Sequence, residues 1–211
     1  MRLILVRHGE TELNKTGRIQ GLNADPLNES GRMQARAVAE ALAVDMPFAL
    51  YASPIPRAQE TAETVSCRLG VRVTRLDGLQ EADAGELVGL TGDEMRRRYP
   101  DFMERWAADA GTARMPGGES MEEVRLRAWR AIDGLDADYP DGKVVAVTHN
   151  QTIGAIVATA LDMPLSQFRR LKVDLGSITR LDLNEERPLL VSLNETWHLP
   201  KGPAPDRTGD G

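Results

Sequence analysis

At 211 residues the chain has room for one full-sized core, and its 41% hydrophobic and 27% charged residues are ordinary for a globular protein. A formal charge of −6 argues against non-specific nucleic-acid binding, and no apolar run is long enough to span a bilayer. One cysteine, Cys67, excludes an internal disulfide and a cysteine-based zinc site, and three histidines (His8, His149, His198) are too few for a histidine-rich metal cluster, so neither metal nor cofactor is expected.

Residues 3–6 form an unbroken aliphatic run, which reads as a strand buried on both faces. Arg7, His8 and Gly9 follow with no spacer, at the carboxyl end where open α/β sheets hold their ligands. The polar stretch 12–27, with Gly17 and Gly21, reads as a long loop. From Asn28 a helix is expected, with Met33, Ala37, Val38, Ala41 and Leu42 at helical spacing, stopped by Met46 and Pro47. Residues 48–52 read as a second strand. Ser53 and Pro54 then suit the cap and first turn of another helix, which puts Arg57, Thr61 and Thr64 near its positive end. Cys67 falls inside that helix and reads as a small core residue. Residues 71–73 are a third strand and 76–81 a loop.

The segment 82–118 reads as an insertion over the sheet, a lid. It holds helical stretches at 91–99 and 101–110 parted by Pro100, and it ends at Pro116, Gly117 and Gly118. Its Met95, Tyr99, Phe102 and Trp106 are either apolar walls for a substrate or packing against the sheet. Ser120 and Glu123 make a capping box for a helix over 120–135, with Met121, Val124, Ala128 and Ile132 on its apolar side. Residues 143–148 are a fourth buried strand that again ends in a histidine, His149. A helix at 152–161, strands at 172–183 and 189–193, a turn at 184–188 and a mobile Pro/Gly/Asp-rich tail at 200–211 complete the chain. No secretory pattern opens it, so the cytoplasm is the expected compartment.

Strands alternating with helices indicate an α/β fold on a mainly parallel sheet. If the strands ending at His8 and His149 are neighbours, both imidazoles reach one crevice, and Arg57 faces it too. Two arginines and two histidines around one cavity suit a dianion, above all phosphate. Residues 1–75, which contain His8, carry ten Lys/Arg against eight Asp/Glu, whereas the remainder carries sixteen against twenty-four, in keeping with an anion site in the first part.

The run from Arg7 to Thr11, continued to Asn14, is joined in order by Gln20-Gly21, the 27–31 approach to the first helix, Ser53-Pro54 with Arg57-Ala58 and Thr61, Glu81, Gly117 to Ser120, and Thr148-His149. With this pattern the chain resembles the histidine phosphatase superfamily, also called the phosphoglycerate mutase-like family, over about residues 1–195. The resemblance implies a three-layer α/β/α sandwich with a mainly parallel central sheet, a small helical lid at about 82–118, and a single domain over 1–199. It implies His8 as a nucleophile that forms a phosphohistidine. Arg7, Arg57 and His149, with Asn14, would bind the phosphoryl oxygens. Glu81 would give a proton to the leaving alcohol, and Gln20, Gly21 and Asn150 would lie close to the substrate. The implied partner is a small phosphorylated metabolite, with no nucleic acid or membrane. A homodimer through the final strands is left open.

The chain departs from the family pattern at three places. Leu13 stands where many relatives have tryptophan, and Asn150 where phosphatases usually have glycine. Ala84 stands where the metal-independent phosphoserine phosphatases have histidine, although residues 193–199 resemble that subgroup. The short span between Glu81 and His149 favours hydrolysis over mutase chemistry. The alternatives carried forward are a cofactor-dependent phosphoglycerate mutase and a catalytically dead phospho-ligand binding protein.

Overall fold

In the computed structural model, which describes residues 1–184 and 186–199, β1 (Arg2–Arg7) and β4 (Lys143–Thr148) lie side by side and parallel at the centre of one sheet. β2 (Ala49–Ala52) and β3 (Val73–Arg75) extend it in parallel beyond β4, while β5 (Ile178–Asp182) and β6 (Leu189–Glu195) extend it antiparallel beyond β1. The strand order is β3-β2-β4-β1-β5-β6. The central strands are aliphatic at almost every position because both of their faces are covered. Leu3, Leu5, Val144 and Ala146 face one core, and Ile4, Val6, Val145 and Val147 face the other.

α2 (Glu29–Leu42) and α3 (Pro56–Leu69) close the second face with Val38, Leu42, Ala58, Ala62 and Val65. α6 (Met121–Asp138) and α7 (Asn150–Ala160) close the first with Ala128, Ile132, Ile153 and Val157. The result is the expected three-layer α/β/α sandwich. α6 begins as its sequence indicates: the Ser120 hydroxyl accepts from the Glu123 amide and the Glu123 carboxylate accepts from the Ser120 amide, a box that contributes about 1 kcal/mol. Between 82 and 118, α4 (Gly92–Arg98) and α5 (Pro100–Ala108) are parted at Pro100, which suits the first position of the second helix. A third core joins Leu87, Phe102 and Met115 of this segment to Met121, Val124, Ala155 and Phe168. Among the described residues, no helix is long and apolar enough to cross a membrane.

Several expectations shift. A short helix, α1 (Glu12–Lys15), lies inside the stretch read as loop; four residues are too few to show a period. α3 starts at Pro56 with Ile55 as its cap, so Ser53 is not a helix cap. β3 pairs from Val73, not Val71, although Val71 still packs on the core. β5 starts only at Ile178, because Gly176 takes a left-handed turn (φ 68°) and sends 172–177 past the end of β1 as a loop. Cys67 is exposed, not core: the buried line of α3 runs through Ala58, Thr61, Ala62 and Val65, and two further residues turn away from it. Met33 is likewise on the exposed side of α2. The tail expected to be mobile, 200–211, lies outside the described residues.

One close crossing fixes the exit of β1. A Cβ on Gly9 would lie 2.4 Å from the Gly31 carbonyl oxygen, and one on Gly31 would lie 2.1 Å from that of Glu10. Two glycines therefore let the chain after β1 pass against the first turn of α2, and this sets where His8 emerges.

Candidate active site

β1 and β4 pair with Arg7 opposite Thr148, so the next residues, His8 and His149, leave the sheet at the same edge. Their rings are 5.0 Å apart and both are buried. The His8 Nδ1 lies 2.7 Å from its neighbour's carbonyl, Gly9 O. A carbonyl only accepts, so Nδ1 carries the proton and Nε2 presents its lone pair. That lone pair accepts from Arg57 Nε at 3.2 Å. Burial, then the charges of Arg57 and Arg7, hold the His8 pKa well below 6.5. The imidazole is therefore neutral at neutral pH, as a nucleophile must be.

Arg57 occupies the second position of α3 and is 1% exposed. Its Nη1 and Nη2 donate to the carbonyls of Asn23 and Gly21, each at 2.8 Å. Burial lowers its pKa to about 10, which leaves it a cation. Arg7 donates through Nη1 to Val173 O at 2.6 Å, and its buried Nε has no partner. Burial lowers its pKa too, opposed by Glu81 and Asp174.

His149 caps α7 from a fully buried position, with Nε2 2.8 Å from Ser53 Oγ and Nδ1 without a partner. Burial and the nearby cations Arg57 and Arg7 push its pKa well below 6.5. Ser53, which belongs to the family pattern but reads in the sequence as a helix cap, here contacts the imidazole instead. Its hydroxyl also accepts from the Ile55 amide at 3.3 Å, so Ser53 holds the His149 ring against the turn that leads into α3.

Glu81 approaches from the loop after the short 3-10 turn at Asp77–Leu79. Its carboxylate accepts from the amides of Ala82 at 3.0 Å, Thr152 at 3.3 Å and Gln151 at 3.4 Å, which places it on the N-terminus of α7. The loop itself is fastened by Arg127 of α6, a residue the sequence reading did not single out. Its guanidinium reaches the carbonyls of Gly78 (3.1 Å), Gln80 (2.9 Å) and Glu81 (2.9 Å) and both oxygens of Glu119. Burial would raise the Glu119 pKa, but Arg127 and the Asp83 amide hold it below the usual range. Glu119, in the Gly117 to Ser120 motif, was the available signal for this clamp. Arg127→Met is expected to lower kcat about 10- to 100-fold with little change in KM, because it loosens Glu81 without touching the phosphate site; steady-state kinetics on a phosphate ester check this.

A cavity of about 360 Å³ opens in front of this constellation. Arg7, His8, Asn14, Gln20, Gly21, Arg57, Glu81 and Asn150 all line it; His149 lies just behind, against His8. Asn14 and Gln20 are partly engaged already: Asn14 Oδ1 accepts from the Thr11 amide at 3.2 Å and Gln20 Oε1 from the Thr11 hydroxyl at 2.9 Å. Asn150 is exposed on the first turn of α7. Met95, Phe102 and Trp106 line the cavity, whereas the Tyr99 hydroxyl is bonded to Glu86 outside it. His198 is half-buried with Nε2 2.9 Å from Gly176 O, a structural contact. Among the described residues, no cluster of three or more His, Cys, Asp or Glu is arranged to hold a metal ion.

The arrangement combines a neutral buried imidazole, two cations held by backbone carbonyls, and a carboxylate within the same cavity. Comparison with known proteins points the same way. Residues 3–196 match the sequence model of the histidine phosphatase superfamily (branch 1). The chain is 31% identical to phosphoserine phosphatase 1 of Hydrogenobacter thermophilus, over 94% of each. It is 33% identical to a probable phosphoglycerate mutase of Enterobacter sp., over 91% of this chain and 89% of that one. A Mycobacterium tuberculosis protein described as bifunctional is 36% identical over 94% of this chain, which spans only 55% of that longer protein. A solved mycobacterial glucosyl-3-phosphoglycerate phosphatase, complexed with VO3, matches with a TM-score of 0.85 and 33% identity, covering 92% of this chain and 99% of that one.

Proposed function

We propose that this chain, which belongs to the histidine phosphatase superfamily, hydrolyses small phosphate monoesters through a covalent phosphohistidine on His8, in a single domain over 1–199. The observation that carries the reading is the buried neutral His8, its Nδ1 proton fixed on Gly9 O and its Nε2 within reach of Arg57.

The ester's phosphoryl oxygens take up the N–H donors of Arg7 and Arg57, with Asn14 contributing its amide, while His149 backs the His8 ring from behind the cavity wall. Phosphate competes for Arg57 Nε–H, so its arrival frees the His8 lone pair. Nε2 attacks phosphorus, the N–P bond forms and the P–O bond to the alcohol breaks, while Glu81 gives its proton to the departing oxygen. The Gly9 carbonyl stabilises the positive charge that the phosphorylated ring acquires. Water then enters, Glu81 takes its proton, the hydroxide attacks phosphorus, and the N–P bond breaks to release inorganic phosphate and neutral His8. One difficult displacement becomes two easier ones, and the guanidiniums neutralise the transferring group without calling on a metal. Gln20, Gly21 and Asn150 border the alcohol, and the segment 82–118 serves as the lid over it.

The test is turnover of p-nitrophenyl phosphate by the purified protein in EDTA. Release of nitrophenol is expected; no release would favour a binding protein. The mutase reading, suggested by the description of the Enterobacter relative, is tested by 3- to 2-phosphoglycerate conversion with and without bisphosphoglycerate, and net hydrolysis is the expected outcome.

A further inference from the structure

The cavity has an apolar part as well as the charged end that holds His8, Arg7 and Arg57. Beyond Glu81 the same cavity is enclosed by Met95, Phe102, Met103, Trp106, Met115 and Phe168. Three of these rings are locked together: Phe102 and Trp106 are 5.5 Å apart, and Trp106 meets Phe168 edge-on at 6.1 Å. Phe168 is seated by a missing side chain on α7, since a Cβ on Gly154 would come within 2.9 Å of Phe168 Cδ2. The apolar wall is thus a fitted part of the fold, continuous with the phosphate site.

The charges around the cavity point the same way. Four guanidiniums line it, from Arg7, Arg18, Arg57 and Arg169, and among the described residues Glu81 is the only carboxylate that does. Glu81 already receives three backbone amides and is committed to proton transfer. Nothing there offers a counter-charge to an ammonium group, while Arg18 is occupied by Gly89 O at 2.6 Å and Glu94 at 2.9 Å. An amino alcohol would leave its cation unpaired beside other cations, at a cost that a hydrocarbon body would not meet.

We infer that the alcohol half of the substrate is a hydrocarbon body, aromatic or branched, carrying no ammonium group. The six-residue apolar wall receives it while the phosphate sits on Arg7, Arg57 and His8. This rests on the phosphatase reading and narrows it, setting the site apart from one made for phosphoserine.

Three esters of unactivated primary alcohols test it with the wild-type protein in EDTA: 2-naphthylmethyl phosphate, ethyl phosphate and phosphoserine. Their leaving groups are alike in kind, so kcat/KM reports chiefly how the alcohol body is received. The naphthylmethyl ester is expected to exceed both others by about tenfold or more. Trp106→Ala should shrink that ratio, and Met95→Gln, which keeps the side-chain length, should shrink it without opening a cavity. Equal or better turnover of phosphoserine or ethyl phosphate overturns the inference alone, as does a ratio untouched by both substitutions. Turnover of p-nitrophenyl phosphate with no hydrolysis of the naphthylmethyl ester also overturns the inference alone, whereas no turnover of p-nitrophenyl phosphate or of any of the three esters overturns the phosphatase reading and this inference with it.

Discussion

His8→Ala is expected to reduce kcat for phosphate ester hydrolysis by about 10⁴-fold or more, that is about 5.5 kcal/mol of lost transition-state stabilisation. Among the described residues His8 is the only imidazole that lines the cavity, and its Nε2 lone pair lies 3.2 Å from Arg57 Nε. His149, the other imidazole, has its Nε2 committed to Ser53 and lies behind the cavity wall. Alanine also strands the Gly9 carbonyl and Arg57 Nε, so His8→Asn is the companion variant: its amide can receive the Arg57 N–H but cannot carry a phosphoryl group through turnover. Both variants should unfold cooperatively near the wild-type temperature, and both should lose activity. Retention of more than about a hundredth of wild-type kcat in either would contradict the assignment.

Arg57→Leu is expected to cost about 10³-fold in kcat/KM and to move the acid limb of the pH profile upward. The sign follows from the charges. Removing a cation beside His8 stabilises its imidazolium, so the His8 pKa rises from its depressed value and protonation inactivates the enzyme at a higher pH. In the wild type that limb falls below pH 6.5. Arg57→Lys separates the two contributions. It keeps the charge, and with it the low position of the limb, but a single ammonium cannot reach His8, Gly21 O and Asn23 O together, so kcat/KM still falls. A limb that stays in place in Arg57→Leu would mean that burial and Arg7, not Arg57, depress His8.

The layers of the fold could be read from periodicity because the central strands are buried on both sides and aliphatic throughout, which leaves little ambiguity in 3–6 or 143–148. Edge elements were harder. β5 and β3 moved because pairing there is set by Gly176 and by the register against β2, neither of which changes the hydrophobic pattern. Of the proposed site, the residues that touch the cavity announced themselves by type and by position at strand ends. The residues that hold them did not. Ser53 looks like a helix cap until Pro56 is seen to start the helix, and Arg127 is one of several arginines on a polar helix face until its three carbonyl partners are known. Positioning residues earn their role through backbone groups distant in sequence, which a linear pattern does not display. Cys67 shows the converse, a residue type that is usually buried but falls on the wet side of its helix.

The most direct measurement is to quench the wild-type protein in alkali within the first turnover of a radiolabelled phosphate ester and to locate the label. Phosphate bound to His8, stable in base and lost in acid, is the expected result, and neither His8→Ala nor His8→Asn should carry it. A wild-type chain that turns over the ester yet carries no such label, or carries it on another residue, would contradict nucleophilic attack by His8.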